Sequence, residues 1–115
     1  MEPTVEAELN WLSSLTSANR SQFITHLAHG LTIGIRVLCR VDGDVHVNVE
    51  SIRLINEALH GVLGYLSHAL DGTEDSSWLV AVVKSVLCIK DAAAAQQASQ
   101  AWSYAKSQAE SRSAA

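Results

Sequence analysis

Polar side chains at helical spacing on two neighbouring predicted helices are the groups of this chain that could do chemistry. They include imidazole, guanidinium and carboxylate groups, which can exchange protons, bind anions or hold a metal ion. If the two helices pack antiparallel, we expect their polar faces to meet in one inter-helix cluster. Its predicted members are His29, Thr32, Arg36, Asn56, Glu57 and His60.

The default role of this cluster is structural. Arg36 and Glu57 could form a charged hydrogen-bond network between the helices, with Asn56 as a further partner. A bidentate arginine–carboxylate pair at the edge of a core helps to fix the register of two helices without any ligand.

A metal site is an alternative use of the same residues. Glu57 and His60 have the Glu-x-x-His spacing of di-iron helical bundles, but such a site needs a second copy of the motif and two more carboxylates. His29, Glu57 and His60 could instead hold a single zinc ion. Because the spacing of Glu57 and His60 is common by chance, we predict no cofactor.

The order Ala28-His29-Gly30-Leu31 resembles the motif of histidine phosphotransfer domains. The resemblance implies a four-helix bundle in which an exposed His29 receives a phosphoryl group from a response regulator. Thr32 and Ile33 stand where that motif has its lysine and its glycine, and Arg36 is two turns beyond His29.

Catalytic motifs with a recognisable context do not occur in the sequence. It contains no Gly-x-Ser-x-Gly, no phosphate-binding loop and no Cys-x-x-Cys. The sequence therefore favours a role other than catalysis.

The elements that position these residues are predicted to be helices only. Pro3 is the single proline of the 115 residues, so almost the whole chain lacks the strongest helix breaker. Apolar residues make up 48% of the chain and aromatic residues 5%, which indicates a globular domain with an aliphatic core. We expect an all-α fold, a four- or five-helix up-and-down bundle, with one domain over residues 1–110 and a frayed tail at 111–115.

Hydrophobic periodicity and capping residues give the approximate bounds of the helices. Thr4 should cap the first helix. The connector after the second helix should turn at residues 42–44 and include a short extended piece, because Val41, Val45 and Val47 alternate with polar residues. Asn48 should then cap the third helix. Gly72 should end the third helix, and Asp91 should cap the last. The predicted helices after the first cover residues 18–39, 49–70 and 76–89, with a last helix from 92 onward.

Gly30 and Gly34 lie within the second predicted helix, on one flank of its apolar stripe. Each glycine costs a helix roughly 1 kcal/mol relative to alanine. Two of them in mid-helix therefore predict the close approach of another backbone.

Charge and hydropathy restrict the partners. The net charge of −4 comes with only eight scattered basic residues, so no basic patch for nucleic acid is visible. No apolar run approaches the ~20 residues that span a bilayer, and we find no signal peptide at the N-terminus. We therefore expect a cytoplasmic protein that binds neither nucleic acid nor membrane, with Cys39 and Cys88 as buried small hydrophobic residues.

A protein–protein contact is the predicted function, with a homodimer as its form. The third and fourth predicted helices carry more apolar surface than a small bundle needs. The last helix is rich in alanine and has a thin apolar stripe, which packs on the bundle through Trp102 and Tyr104 or reaches a second copy or another protein.

Two segments of the chain, His29-x-Leu31-Thr32-Ile33-x-x-Arg36 and Ile52-x-x-Ile55-Asn56-Glu57-x-x-His60-x-Val62, resemble a group of small, uncharacterised, all-helical bacterial proteins. The resemblance lies within residues 29–62, about a third of the chain. It implies that the six residues of the polar cluster form one site, and it implies no particular function.

Overall fold

The computed structural model describes the backbone of residues 4–40 and 45–113, and side chains over 4–40 and 49–110. Every regular element in these ranges is an α-helix, which confirms the prediction of an all-α bundle. The helices are α1 (Val5–Ser13), α2 (Ser17–Arg40), α3 (Val45–Leu70), α4 (Ser76–Leu87) and α5 (Ala92–Ser113).

Polar side chains cap the helices, as the sequence predicts for Thr4 and Asp91. Thr4 Oγ1 accepts a hydrogen bond from the backbone N–H of Ala7 at the start of α1. Asp91 Oδ2 accepts one from the N–H of Ala94 and so separates α5 from α4. Such caps satisfy amide groups that have no partner within the first helical turn.

Helix α3 ends at a glycine, again as predicted. Gly72 has a φ of +71°, and Thr73 donates its backbone N–H to the carbonyl oxygen of His68. Glycine adopts this left-handed conformation without the steric cost that a Cβ atom adds.

The start of α3 differs from the prediction. The helix begins at Val45, so Asn48 is inside it rather than at its N-cap, and no extended piece covers Val45 and Val47. Alternating valines indicated a strand, but β-branched residues lower the stability of a helix only slightly. The predicted turn at residues 42–44 lies outside the described residues.

Helix α2 is the centre of the packing. It contacts α5 on one flank and α3 on the other, while α4 packs against α3, α1 and α5. The side chains that α2 buries form an apolar stripe, and α3 adds Ile55, Val62 and Tyr65 to the same core. The stripe consists of Phe23, Ile24, Leu27, Leu31 and Leu38.

Helix α5 packs on its own bundle through alanines and one tryptophan. Ala94, Ala98, Ala105 and Trp102 are buried, whereas Tyr104 is exposed. The thin stripe is thus covered within the chain, because the small alanine side chains let α5 approach its neighbours closely. The helix continues to Ser113 and so includes residues 111–113 of the predicted frayed tail; residues 114–115 lie outside the described ranges.

The two cysteines do not occupy the predicted positions. Cys39 and Cys88 are both exposed free thiols. Cys39 lies near the C-terminal end of α2, and Cys88 is the C-cap residue of α4, where few neighbours cover a side chain.

No helix in the described part of the chain combines the length and the hydropathy that crossing a bilayer requires.

Candidate functional site

The α2 half of the predicted polar cluster lies largely on the surface. His29 and Arg36 are exposed and Thr32 is half-buried. Thr32 uses its hydroxyl locally, since Oγ1 donates to the carbonyl oxygen of Ala28 at 2.9 Å.

The α3 half of the cluster is also on the surface. Asn56, Glu57 and His60 are exposed. Glu57 is paired with Arg53 one turn earlier on the same helix, and Arg53 also binds Glu50.

The predicted Arg36–Glu57 network between the helices is therefore wrong. Among the described residues, the ion pairs of Glu57 involve Arg53 and none involves Arg36. The apolar stripes of α2 and α3 supply the buried side chains of both helices, whereas their predicted polar residues lie mostly on the surface.

The metal alternative fails for the same reason. Within residues 4–40 and 49–110, no group of three or more His, Cys, Asp or Glu side chains could hold a metal ion. His29, Glu57 and His60 stay apart on two outward faces, so they do not form the predicted zinc site.

The phosphotransfer alternative stays a prediction. His29 meets one requirement of that chemistry, since it is exposed in the middle of a long helix. Its ring lies 6.5 Å from that of Tyr104 on α5. Thr32 and Ile33 occupy the positions at which the motif of histidine phosphotransfer domains has a lysine and a glycine.

A surface groove between α2 and α5 is the strongest candidate for a functional site. It encloses about 200 Å³ and has Gly30 and Ala101 among its lining residues. Three large side chains beside it are unusually exposed for apolar residues: Ile33 at 44%, Val37 at 40% and Tyr104 at 41%. Clustered exposed apolar residues on a small protein commonly mark a binding surface.

The glycines of α2 make this groove possible, and they confirm the predicted close approach of a backbone. An ideal Cβ at Gly30 would lie 2.9 Å from Ala101 Cβ and 3.0 Å from Ala101 Cα. One at Gly34 would lie 3.1 Å from Gln97 Cβ. Both contacts are with α5, which therefore runs antiparallel to α2.

Charge is distributed unevenly around the groove. None of the described residues that line it is charged, and α2 contains no aspartate or glutamate over its whole length. Arg36 and Arg40, both exposed, are the cations on the outer side of α2 near its C-terminal end. The groove itself can thus be buried without desolvating a charged group.

A buried polar network, which the sequence pattern does not predict, links α1 to α5. The side chain of Glu8 is 8% exposed and lies 3.2 Å from Lys106 Nζ. Glu8 Oε2 also accepts a hydrogen bond from the indole N–H of Trp102 at 3.0 Å. Lys106 lies over the ring of Trp11, 4.8 Å from its centroid. The sequence feature that could have indicated this network is the position of Glu8, which lies one turn before Leu12 on the apolar side of α1.

A second network joins α1, α2, α3 and the turn before α4. Arg20 donates from Nε to the carbonyl oxygen of Leu12 at 3.2 Å and from Nη2 to that of Leu15 at 3.1 Å. Tyr65 is buried and donates its hydroxyl to Glu74. Burial and the bond to Glu74 raise the pKa of Tyr65 to about 12.

The pKa of Tyr65 predicts a loss of stability at alkaline pH. The unfolded chain releases this proton near the ordinary tyrosine pKa of about 10, whereas the folded protein keeps it until about pH 12. The free energy of unfolding should therefore fall as pH rises from about 10 to about 12. Urea unfolding at several pH values measures this slope, and in Tyr65→Phe the slope should be shallower. Equal slopes in the two proteins would contradict the assignment.

In comparisons of the chain with known proteins, no family model, no curated protein and no solved structure matches.

Proposed function

We propose that this protein acts through protein–protein contact, and that it self-associates through the groove between α2 and α5. The observation that carries the proposal is the exposure of Ile33, Val37 and Tyr104 around a recess with Gly30 and Ala101 in its lining. The stripe of α5 is covered inside the bundle, whereas these three side chains leave apolar surface uncovered next to a cavity.

A second copy of the chain suits this surface because the surface is complementary to itself. A two-fold interface brings the same patch of both subunits together, so the patch must offer projections and a recess. Ile33, Val37 and Tyr104 provide the projections, and the small residues Gly30 and Ala101 leave room for those of the partner.

The charges around the groove favour an antiparallel arrangement of the two α2 helices. A parallel pair would bring the exposed arginines of both copies together. If Ile33 lies at the two-fold axis of an antiparallel pair, the two Arg36 residues are about 9 Å apart along the helices and the two Arg40 residues about 21 Å. Both separations exceed the Debye length of about 8 Å at physiological ionic strength, so the repulsion is partly screened for Arg36 and largely screened for Arg40.

The proposal is tested by changing one projection of the groove. The wild-type protein is expected to sediment as a dimer at micromolar concentration. Val37→Lys should weaken dimerisation at least a hundredfold, because the ammonium group would be buried without a partner. The matched control is Leu63→Lys, which places the same charge at a 49% exposed apolar position on α3, outside the groove.

Sedimentation velocity over a range of concentrations separates the outcomes. A wild-type protein that stays monomeric at high concentration would rule out self-association. A dimer that Leu63→Lys dissociates and Val37→Lys does not would place the interface on α3 instead.

A further inference from the structure

A second concave site lies on the other side of the molecule, between α3, α4 and the connector to α5. It is a cleft of about 410 Å³, twice the volume of the groove between α2 and α5. Its apolar lining consists of Leu54 and Ile89, which are half-buried, and of the buried Ala58. Small-molecule sites are typically concave, mostly apolar and supplied with a few polar groups that orient the ligand.

Two lysines of this cleft have no carboxylate partner among the described residues. Lys84 and Lys90 both line it, and neither forms an ion pair among the described residues. Both side chains are exposed, so their ammonium groups are accessible to a ligand at the mouth of the cleft.

The two carboxylates of the cleft are engaged elsewhere. Glu57 is bound by Arg53 on α3. Asp91 accepts hydrogen bonds from the Ser51 hydroxyl and from the backbone N–H of Ala94, where it caps α5. These bonds hold both carboxylates in place without removing their charge, so the lysines are the charged groups of the described lining that remain free to contact a ligand.

From the two free lysines beside an apolar surface we propose that the cleft binds a small amphipathic carboxylate. The apolar body of the ligand lies on Leu54 and Ile89, and its carboxylate lies between Lys84 and Lys90. This site is separate from the groove between α2 and α5, so the proposal does not depend on self-association.

The experiment uses the full chain and decanoate as the probe, below the concentration at which decanoate forms micelles. Backbone amide shifts in NMR spectra are followed during the titration, with decanol as the uncharged analogue. Decanoate is expected to shift amides around residues 54–58 and 84–91, and decanol to bind roughly tenfold more weakly. Decanol is expected to bind more weakly because it lacks the carboxylate that contacts Lys84 and Lys90. Each of these two exposed contacts contributes less than about 1 kcal/mol, which gives roughly a tenfold difference in affinity.

Variants then test the role of the lysines. The double variant Lys84→Gln, Lys90→Gln should weaken decanoate binding roughly tenfold and leave decanol binding unchanged. Arg36→Gln is the matched control, since it removes an exposed cation outside the cleft and should have no effect.

Three results would overturn the proposal. They are the absence of decanoate binding, equal affinity for decanoate and decanol, and shifts that centre on Ile33, Val37 and Tyr104. The comparison of decanoate with decanol uses the unmodified protein, so it stands even if the double variant folds poorly.

Discussion

Gly30→Leu is expected to lower the free energy of unfolding by about 3 kcal/mol, because α2 and α5 leave no room for a side chain at this position. A Cβ atom alone would lie 3.0 Å from the Cα of Ala101, which is part of the α5 backbone. A flexible side chain could rotate away, but here a whole helix must move. Gly30→Ala should therefore also destabilise, by roughly 1–2 kcal/mol.

Gly64→Ala is the matched control for this prediction. Gly64 lies inside α3, and a Cβ atom there would have nothing within 4 Å among the described residues. Alanine in place of glycine at an open helical position should raise the stability by roughly 0.5–1 kcal/mol. The same chemical change thus has opposite signs at the two positions, and urea unfolding of the three variants measures this.

A compensating change checks the mechanism. Ala101→Gly removes the Cβ atom that the new methyl group meets at 2.9 Å and leaves the Cα atom at 3.0 Å, so Gly30→Ala should cost less stability in the Ala101→Gly background than in the wild type. If Gly30→Ala costs the same in both backgrounds, or if Gly30→Ala and Gly64→Ala shift the stability in the same direction, the steric explanation is wrong.

Glu8→Leu is expected to lower the free energy of unfolding by about 2–3 kcal/mol. The carboxylate of Glu8 accepts from the indole N–H of Trp102 and pairs with Lys106. Leucine preserves the bulk of the side chain but leaves the buried N–H of Trp102 without an acceptor and Lys106 without its counter-charge. Loss of a partner for such buried groups costs about 1–3 kcal/mol for each neutral group and more for a charge.

Two further variants of α1 make this measurement specific. Glu8→Gln keeps an oxygen acceptor for Trp102 and removes only the charge, so it should lose about half as much stability. Glu6→Gln changes an exposed carboxylate on the same helix and should stay within about 0.5 kcal/mol of the wild type. Equal stabilities of Glu8→Leu and Glu6→Gln would show that the network contributes nothing.

Self-association and stability can be separated with these variants. Glu8 is not among the residues that line the groove between α2 and α5, so Glu8→Gln should dimerise as the wild type does. Gly30 lines the groove, and Gly30→Ala should therefore affect both the stability and the dimer.

The secondary structure could be read from local features of the sequence. The spacing of Ile24, Leu27 and Leu31 predicts a helix with one buried face, and all three side chains are fully buried. Thr4, Gly72 and Asp91 mark helix ends because capping depends on neighbours within one turn. The predicted start of α3 at residue 49 is wrong, because alternating valines are compatible with a strand and with a helix, and the helix begins at Val45.

Only part of the candidate site could be predicted from the sequence. Gly30 and Gly34 indicate that another backbone comes close, but not that it belongs to α5. Ile33 and Val37 lie outside the buried stripe of α2, yet whether they are covered depends on the position of α5. The predicted polar cluster failed because helical periodicity identifies the face opposite the apolar stripe without identifying what lies beyond it.

The sequence by itself determined that this chain forms helices, where most of them begin and end, and which faces of α2 and α3 are buried. These properties follow from contacts between residues within about one turn and from the burial of apolar side chains. Only the tertiary structure decided that α5 covers α2, that Glu8 meets Trp102 and Lys106, and that Arg36 and Glu57 stay apart. Such pairings join residues far apart in the sequence, and they depend on how whole helices pack, which no local pattern encodes.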